Sequence, residues 1–257
     1  MRTALLARRA GRGQKVNIAV DLHMHSCLSP CGDELMTPNN IVNMAIIKGL
    51  DAIAVCDHNT ARQLPAVEQV ALESGLTLLP GIEITTAEEI HLLAYFGSVG
   101  EALEFSDYIY EHLPPIPNRP EYFGVQQLMD SEDEPTGTED RLLLTALDLS
   151  LSDLTRDINA AGGLAVPAHI NRGSSGLLIG LGMLPTDEKF AALELSSVSP
   201  APACDLGEYK LLFSSDAHYL ENMAEREYFL NVPERSREGL FGYLKSCRAR
   251  VWGDNFC

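Results

Sequence analysis

Short apolar runs alternate with amphipathic segments along most of the chain. Apolar stretches at 16–22, 50–56 and 76–85 predict strands, and helical spacing of apolar residues over 39–48 and 61–74 predicts the helices between them. This strand–helix–strand rhythm is typical of parallel βα units, in which functional residues lie at the carboxyl ends of the strands. The pattern therefore predicts an α/β fold with a site at that end.

The rhythm stops between residues 101 and 150. A helical segment over 101–112 is followed by a proline-rich stretch over 113–120, which is incompatible with a helix or a central strand. The acidic stretch over 130–137 predicts a hairpin tip. We interpret residues 101–150 as an insertion over the mouth of the site, either a lid or a solvated excursion.

The pattern resumes after the insertion. The predicted elements, in chain order, are a helix over 152–161 capped by Ser152, strands over 164–168, 191–195 and 210–213, and a helix over 236–246 capped by Ser236.

Six of the seven histidines lie beside these apolar runs, and most of them adjoin a carboxylate. The groups are Asp21-Leu-His23-Met-His25, Asp57-His58, Glu83 with His91, Asp216-Ala-His218, and His169 at the end of the 164–168 run. The two rings of His23-Met-His25 share one face of a strand, as chelation requires. Imidazole and carboxylate are ligands for Zn²⁺, Mn²⁺ and Fe²⁺. The sequence thus predicts a polynuclear metal site and a hydrolase.

Two histidines deviate from this pattern. His91 precedes its apolar run instead of following it, so we expect its strand to run in the opposite direction. His112 lies in the insertion, and we expect it to have no part in the site.

Length and charge narrow the function classes. The 257 residues contain 46% hydrophobic residues, which suits one large domain over 16–257 preceded by a disordered leader over 1–15. The net charge of −17 argues against a broad grip on nucleic acid, and so against duplex DNA. No apolar run approaches the roughly 20 residues of a membrane span. Six cysteines without a C-x-x-C pair suit reduced thiols and a cytoplasmic location.

Five motifs resemble those of a known family. They are Asp-Leu-His-Met-His-Ser at 21–26, Cys-Asp-His-Asn at 56–59, Gly-Ile-Glu-Ile-Thr at 81–85, Pro-Ala-His at 167–169 and Ser-Asp-Ala-His at 215–218. In this order they resemble the motifs of the PHP (polymerase and histidinol phosphatase) family over nearly the whole chain after residue 16. The resemblance implies a distorted seven-stranded (β/α) barrel with a trinuclear metal centre and phosphoesterase activity.

Carried over by position, the resemblance implies three ligand groups. They are His23, His25, Glu83 and Asp216 for a first ion, Glu83, His91 and His169 for a second, and His58 and His218 for a third. The loop after His25 supplies a further ligand in many relatives. Here it offers Cys31, Asp33 or neither, so two or three divalent ions are expected. A thiolate ligand would favour Zn²⁺, whereas a carboxylate would favour Mn²⁺ or Fe²⁺.

The predicted ligands suggest a hydrolytic mechanism. Paired cations lower the pKa of a shared water towards roughly 7 and neutralise charge on phosphoryl oxygens. Asp216 would fix the geometry, and His218 would protonate the leaving oxygen if the third ion is missing. Arg172, with Ser174 and Ser175 in the following loop, is the predicted phosphate-binding group, and a surface turn is the alternative interpretation.

The leading functional hypothesis is a metal-dependent phosphoesterase. Its substrate would be a small phosphorylated metabolite, a nucleotide or a short single-stranded oligonucleotide, and nucleotide-type substrates rank above histidinol phosphate. One alternative is amide or lactone hydrolysis in the manner of amidohydrolases, although no lysine adjoins the clusters to supply a carbamylated bridge. Another is a non-catalytic, metal-bound regulatory module. The oligomeric state stays open.

Overall fold

The structure of the protein is a computed structural model that describes residues 15–246, so the leader predicted for 1–15 lies outside the described residues apart from Lys15. The strands are β1 Val16–Met24, β2 Ala52–Val55, β3 Thr77–Leu78, β4 Gly81–Thr85, β5 His91–Tyr95, β6 Gln127–Met129, β7 Pro135–Thr138, β8 Leu164–Pro167, β9 Leu193–Leu195, β10 Leu211–Phe213 and β11 Phe229–Val232. The α-helices are α1 Pro38–Ile47, α2 Leu64–Ser74, α3 Val99–Glu111, α4 Pro120–Phe123, α5 Leu151–Ala160, α6 Leu177–Gly180 and α7 Arg237–Ser246. None of the helices described between residues 15 and 246 has the length and apolar character needed to cross a bilayer.

The described strands form four sheets, and the fold is mixed α/β as the pattern predicts. β1, β2 and β3 are parallel neighbours, and β11 pairs antiparallel with the other edge of β1. β5 lies antiparallel between β4 and β8, which confirms the reversed strand predicted at His91. β9 and β10 are parallel, and β6 and β7 form the predicted hairpin.

Two isolated β-bridges near the histidines link these sheets to one another. A parallel bridge between His58 and Glu83 joins the end of β2 to β4, and one between Met24 and Ala217 joins the end of β1 to the segment after β10. The carboxyl ends of these strands therefore converge on one side of the fold.

Alternate strand residues enter two different apolar clusters. Val20 and Ala54 lie in one cluster, which α7 also enters through Leu240. Their neighbours Ala19 and Ile53 lie in a second cluster shared with the other long helices. Because side chains alternate across a strand, the strands separate the two clusters. We call the first, which contains Val20 and Ala54, the inner cluster and the second the outer cluster.

Helix boundaries follow the predicted caps with one correction. Ser236 caps α7 as predicted, because its hydroxyl accepts from the amide of Gly239 at 3.0 Å. Thr37 caps α1 by accepting a hydrogen bond from the amide of Asn40. α5 is capped by Ser150 and not by Ser152, because the Ser150 hydroxyl accepts from the amide of Asp153 at 3.1 Å. Two serines two residues apart fit the same apolar pattern, so the pattern alone does not separate them.

The strand predicted over 76–85 is divided into β3 and β4. Pro80 lies at the break, and a proline offers no N–H to a ladder. The helix predicted to begin at residue 101 begins at Val99, because Ser98 and Glu101 form a reciprocal capping box.

Residues 113–149, the part of the predicted insertion that follows α3, pack on the loops at the carboxyl ends of the strands. The amide of Gln127 donates to the carbonyl of Cys27 in the loop after β1. Asn59, after β2, donates through its side-chain amide to the carbonyl of Leu143 at 2.7 Å. These contacts hold the segment against the edge of the site.

Gln126 anchors this segment, and we expect Gln126→Ala to destabilise the protein. Its side chain is fully buried and donates to the carbonyls of Glu139 at 2.6 Å and Arg141 at 2.7 Å, and it accepts from the amide of Leu143 at 2.8 Å. The variant leaves three buried backbone groups unpaired, so we expect the free energy of unfolding to fall by about 2–4 kcal/mol in a urea titration.

Gln127→Ala is the matched control. The Gln127 side chain is half-buried and bonds only to two carbonyls at the surface, so its loss should cost less than about 1 kcal/mol. Equal destabilisation by the two variants would contradict the anchoring role of Gln126.

Candidate metal centre

The end of β1 places two histidine rings, His23 on the strand and His25 directly after it, close to the same two carboxylates. The pairing register of β1 with β2 shifts between Asp21 and Met24, an irregularity often found beside active sites. His23 Nε2 lies 3.3 Å from Glu83 Oε1 and 3.4 Å from Asp216 Oδ1. His25 Nε2 lies 3.3 Å from Glu83 Oε2 and 3.2 Å from Asp216 Oδ1. These four side chains, the set expected for the first ion, form one group of potential metal donors.

Glu83 lies at the centre of a larger set. Its carboxylate, on β4, also lies 3.1 Å from His58 Nδ1, 2.8 Å from His91 Nδ1 and 3.2 Å from His169 Nε2. His58, Glu83 and His91 form a second donor group. The structure thus brings together the histidines predicted for different ions around one carboxylate.

Three buried ring nitrogens at this point have no hydrogen-bond partner among residues 15–246. They are His23 Nε2, His58 Nδ1 and His169 Nδ1. A buried polar atom without a partner is costly, and a divalent cation accepts the lone pair of a neutral imidazole. The donor set, imidazole and carboxylate without a lysine, fits Zn²⁺, Mn²⁺ or Fe²⁺.

A third donor group consists of His25, His58 and His218. The ring centroid of His25 lies 4.5 Å from that of His58 and 4.3 Å from that of His218. Cys31 and Asp33, the two loop candidates, belong to no donor group within the described part of the chain. The Cys31 residue is exposed, and Asp33 Oδ1 accepts from the amide of Leu35 at 3.0 Å.

The carboxylates at the centre are held in the ionised form. Burial raises the pKa of Glu83, but His91, His23 and His58 outweigh it and hold that pKa well below its usual range. Asp216 likewise has a lowered pKa, because His23 and His25 outweigh the effect of burial.

The pKa values of three histidines at the centre shift in opposite directions. Burial lowers the pKa of His25, but hydrogen bonds to Asp216 and Glu83 raise it to about 9. Burial and the neighbouring His25 lower the pKa of His218 to about 4, and burial holds that of His58 well below its usual range. A neutral His218 offers a lone pair and no readily transferred proton, so of its two predicted roles this arrangement favours metal ligation over acid catalysis.

Glu194 on β9 orients two of the donors, and sequence reasoning missed it. Its Oε2 lies 2.9 Å from His23 Nδ1 and 3.0 Å from the amide of His169. Because a carboxylate only accepts, His23 Nδ1 carries the proton and Nε2 is free to face Glu83. A lone glutamate inside the apolar run 191–195 was the available signal.

The acids next to His23 and His58 are anchors and not ligands. Asp57 accepts from the Ser29 hydroxyl at 2.7 Å, and Ser29 Oγ in turn lies 3.1 Å from His25 Nδ1. Asp21 accepts from the amide and the hydroxyl of Ser215, which fastens β1 to the loop that carries Asp216. Both acids therefore position metal donors through hydrogen bonds to neighbouring serines.

Two of the donors have backbone conformations that are unfavourable for residues other than glycine. His169 has φ 27° and Asp216 has φ 51°. Such left-handed conformations cost about 1–3 kcal/mol and persist where the surroundings enforce them, often at functional sites. Here they turn the side chains of the loops after β8 and β10 towards Glu83.

Arg172 reaches the centre from its solvent side. Its guanidinium donates to Asp216 Oδ2, and the side chain is 37% exposed. Ser174 is exposed, and the carbonyl of Ser175 accepts from the amide of His91 at 3.0 Å. His112 pairs with Asp148 at 2.7 Å and belongs to none of the donor groups between residues 15 and 246.

Comparison with known proteins adds a family and several relatives. The family model of the PHP domain matches residues 21–148. The 5′-3′ exoribonuclease Rnm of Salmonella typhimurium is 35% identical over 82 residues, which is 31% of this chain and 27% of the relative. The 5′-3′ exoribonuclease of Haemophilus influenzae is 37% identical over 76 residues, 28% of this chain and 27% of the relative. The chain thus matches about a quarter of the length of these relatives.

The solved structure of the lesion-specific endonuclease Q from Pyrococcus furiosus shares the fold. It superposes with a TM-score of 0.67 at 21% sequence identity over 90% of this chain and 56% of that chain. A complex of endonuclease Q with a 27-mer duplex that carries an abasic lesion gives a TM-score of 0.66 at the same identity, over 90% of this chain and 57% of that one.

We expect Glu83→Gln to reduce the metal content of the purified protein. The amide keeps the shape of the side chain but removes the charge that five histidines surround, so metal affinity should fall by at least about 100-fold. Inductively coupled plasma mass spectrometry measures the bound metal. Glu89→Gln, an exposed glutamate between β4 and β5, is the matched control and should retain wild-type content. Wild-type content in Glu83→Gln would refute the centre described here.

We also expect metal binding to release protons at neutral pH. The pKa of His25 is about 9 in the metal-free protein, so its ring is protonated at pH 7 and must lose that proton to bind a cation. Metal affinity should therefore increase from pH 7 to about 9 as this ring loses its proton. Calorimetric titrations in two buffers of different ionisation enthalpy measure the released protons. An affinity that does not change over this range would contradict the raised pKa.

Proposed function

Since the chain carries a PHP domain, matched over residues 21–148, we propose that it is a metal-dependent phosphoesterase. The proposed substrates are nucleotides and short single-stranded oligonucleotides, with other small phosphorylated metabolites as a lower-ranked class. One observation carries the proposal: the buried Glu83 carboxylate lies within 3.3 Å of nitrogen atoms of five histidines, three of which have a ring nitrogen without a hydrogen-bond partner among the described residues.

The proposed ligands follow the three donor groups, with His169 added because its Nε2 lies 3.2 Å from Glu83. They are His23, His25, Glu83 and Asp216 for a first ion, Glu83, His91 and His169 with His58 for a second, and His25, His58 and His218 for a third. Two or three divalent ions, Zn²⁺, Mn²⁺ or Fe²⁺, suit this set. When bound, such ions lower the pKa of a coordinated water towards roughly 7 and neutralise charge on the phosphoryl oxygens.

The protein's own residues orient these groups and bind the substrate. Glu194 holds the ring of His23, and Asp216 fixes the geometry of the first group. Arg172 is the proposed phosphate-binding residue, because its partly exposed guanidinium lies beside Asp216 at the mouth of the centre. Ser174 and Ser175, on the same loop, are proposed to bind further phosphate oxygens.

We propose that the strands around the centre form the distorted seven-stranded barrel that the sequence motifs imply. β1, β2, β4, β5, β8, β9 and β10 would follow one another around it. The bridges from β2 to β4 and from β1 to the segment after β10 support closure. The amide of Ile170 donates to the carbonyl of Glu194, which joins the end of β8 to β9. The inner apolar cluster supports it as well.

The net charge of the chain and the activities named for its relatives together favour short, single-stranded nucleic acid as the substrate. The two exoribonucleases named above support nucleic-acid substrates. The net charge of −17 opposes a long duplex footprint, which needs clustered cations. A single strand that reaches one metal centre requires few cations of the protein.

Release of phosphate or mononucleotide tests the proposal. We expect turnover that depends on Mn²⁺ or Zn²⁺ with a panel of mononucleotides, nucleoside 3′,5′-bisphosphates, short oligonucleotides, histidinol phosphate and sugar phosphates. His23→Ala removes a donor of the first group and should lower kcat/KM by at least about 100-fold. His112→Ala, a histidine outside the centre, is the matched control and should match the wild type.

If protein shown to carry metal releases no phosphate or mononucleotide from any substrate of the panel, the proposed phosphoesterase activity is refuted. Amide or lactone hydrolysis, or a regulatory metal-bound role, would then be the alternatives to test.

A further inference from the structure

Two aromatic side chains lie on the surface next to each other. Tyr122 is 75% exposed and Phe123 is 40% exposed. Both belong to α4, a single turn that buries none of its side chains. Aromatic rings usually contribute to a core, so an adjacent exposed pair on an ordered turn indicates a binding surface.

α4 lies against the loop that positions a metal donor. Gly124, directly after α4, approaches Pro30 so closely that a Cβ atom would lie 2.4 Å from the Pro30 carbonyl oxygen. The next residue back along that loop is Ser29, whose hydroxyl lies 3.1 Å from His25 Nδ1. One short loop therefore contacts α4 through Pro30 and the metal centre through Ser29.

The backbone of this turn is fixed. The amides of Tyr122 and Phe123 donate to the carbonyl of Arg119, and the Asn118 side chain donates to the carbonyl of Gly124 at 2.9 Å. Gly124 itself has φ 92°, a conformation that favours glycine. A surface already held in one conformation loses little entropy when a ligand stacks on it.

Arg119 supplies a cation at the N-cap of the turn that carries Tyr122 and Phe123. It is exposed, and no carboxylate pairs with it among residues 15–246. Arg62, by contrast, pairs with Glu139 at 2.6 Å. In a chain of net charge −17, an unpaired guanidinium on the same turn as two exposed aromatic residues suits a ligand that offers both phosphate and planar rings.

We propose that Arg119, Tyr122 and Phe123 form a stacking strip for single-stranded nucleic acid. Bases stack on the two rings, Arg119 contacts the backbone, and the phosphoester to be cleaved lies at the metal centre. The strip recognises the strand without reading its sequence, because every base offers a planar face. This inference rests on the proposed function and deepens it by assigning the site for nucleotides beyond the reacting one.

Binding of uridylates of increasing length tests the strip. Fluorescence anisotropy with labelled dinucleotide and octanucleotide, on full-length protein in EDTA, measures affinity in the absence of cleavage. We expect the wild type to bind the octanucleotide more tightly, and the Tyr122→Ala/Phe123→Ala variant to lose roughly tenfold in octanucleotide affinity. Phe229→Ala is the matched control, since its ring is 42% exposed on β11 outside the insertion, and it should change affinity by less than about twofold.

The charge of Arg119 is tested separately. If it contacts one phosphate, Arg119→Gln should make the negative slope of log affinity against log salt shallower by about 0.7. Arg156→Gln, an exposed arginine on α5 that pairs with Asp153, should leave the slope unchanged.

The strip is refuted if the wild type shows no gain in affinity with length, or if the double variant binds the octanucleotide as the wild type does. It is also refuted if the double variant changes the molar mass in light scattering while oligonucleotide affinity stays the same, since the occupant would then be another copy of the chain. Because binding is measured without turnover, a failure of the phosphoesterase assay leaves these outcomes readable.

Discussion

The buried charge of Glu83 is the constraint on which the rest of the structure depends. A carboxylate with 1% exposure is strongly unfavourable unless surrounding groups replace its hydration. Five histidine rings provide that surrounding, and they come from β1, the loop after β2, β5 and the loop after β8. Since the five rings come from four separate segments, the strands must converge at one end for the charge to be tolerated at all.

Further groups behind the donors restrict their movement. Glu194 fixes a ring proton of His23, and Asp57 holds His25 through Ser29. Residues 113–149 then cover the loops that carry these groups, with Gln126 tying that segment together. Metal-assisted hydrolysis needs donors held within about 0.5 Å of their productive positions. Such precision requires that the residues which hydrogen-bond to the donors are themselves fixed by packing and further hydrogen bonds. The strain at His169 fits this arrangement, because a well-packed surrounding can maintain it.

The sequence indicated the candidate metal donors better than the residues that support them. His23 and His58 adjoin strong apolar runs, so both the strand and the side chain at its end were visible. Glu194 was missed because a lone acid in a short run has no neighbour that signals a contact with a residue far away in sequence. The strand at Phe229–Val232 was also missed, since four residues carry too little periodicity. The position of Cys31 depends on tertiary contacts of its loop, which no local pattern encodes.

The separation of the donors along the chain has a consequence for biosynthesis. His25 and Asp216 share a donor group although 191 positions separate them, and β11 pairs with β1. Such non-local pairing forms late, because the entropy of closing long loops must be overcome first. A chain still emerging from the ribosome therefore has no complete first donor group until Asp216 has been synthesised and folded back. The proposed hydrolytic activity would thus begin only after Asp216 has left the ribosome, and shorter nascent chains would lack it.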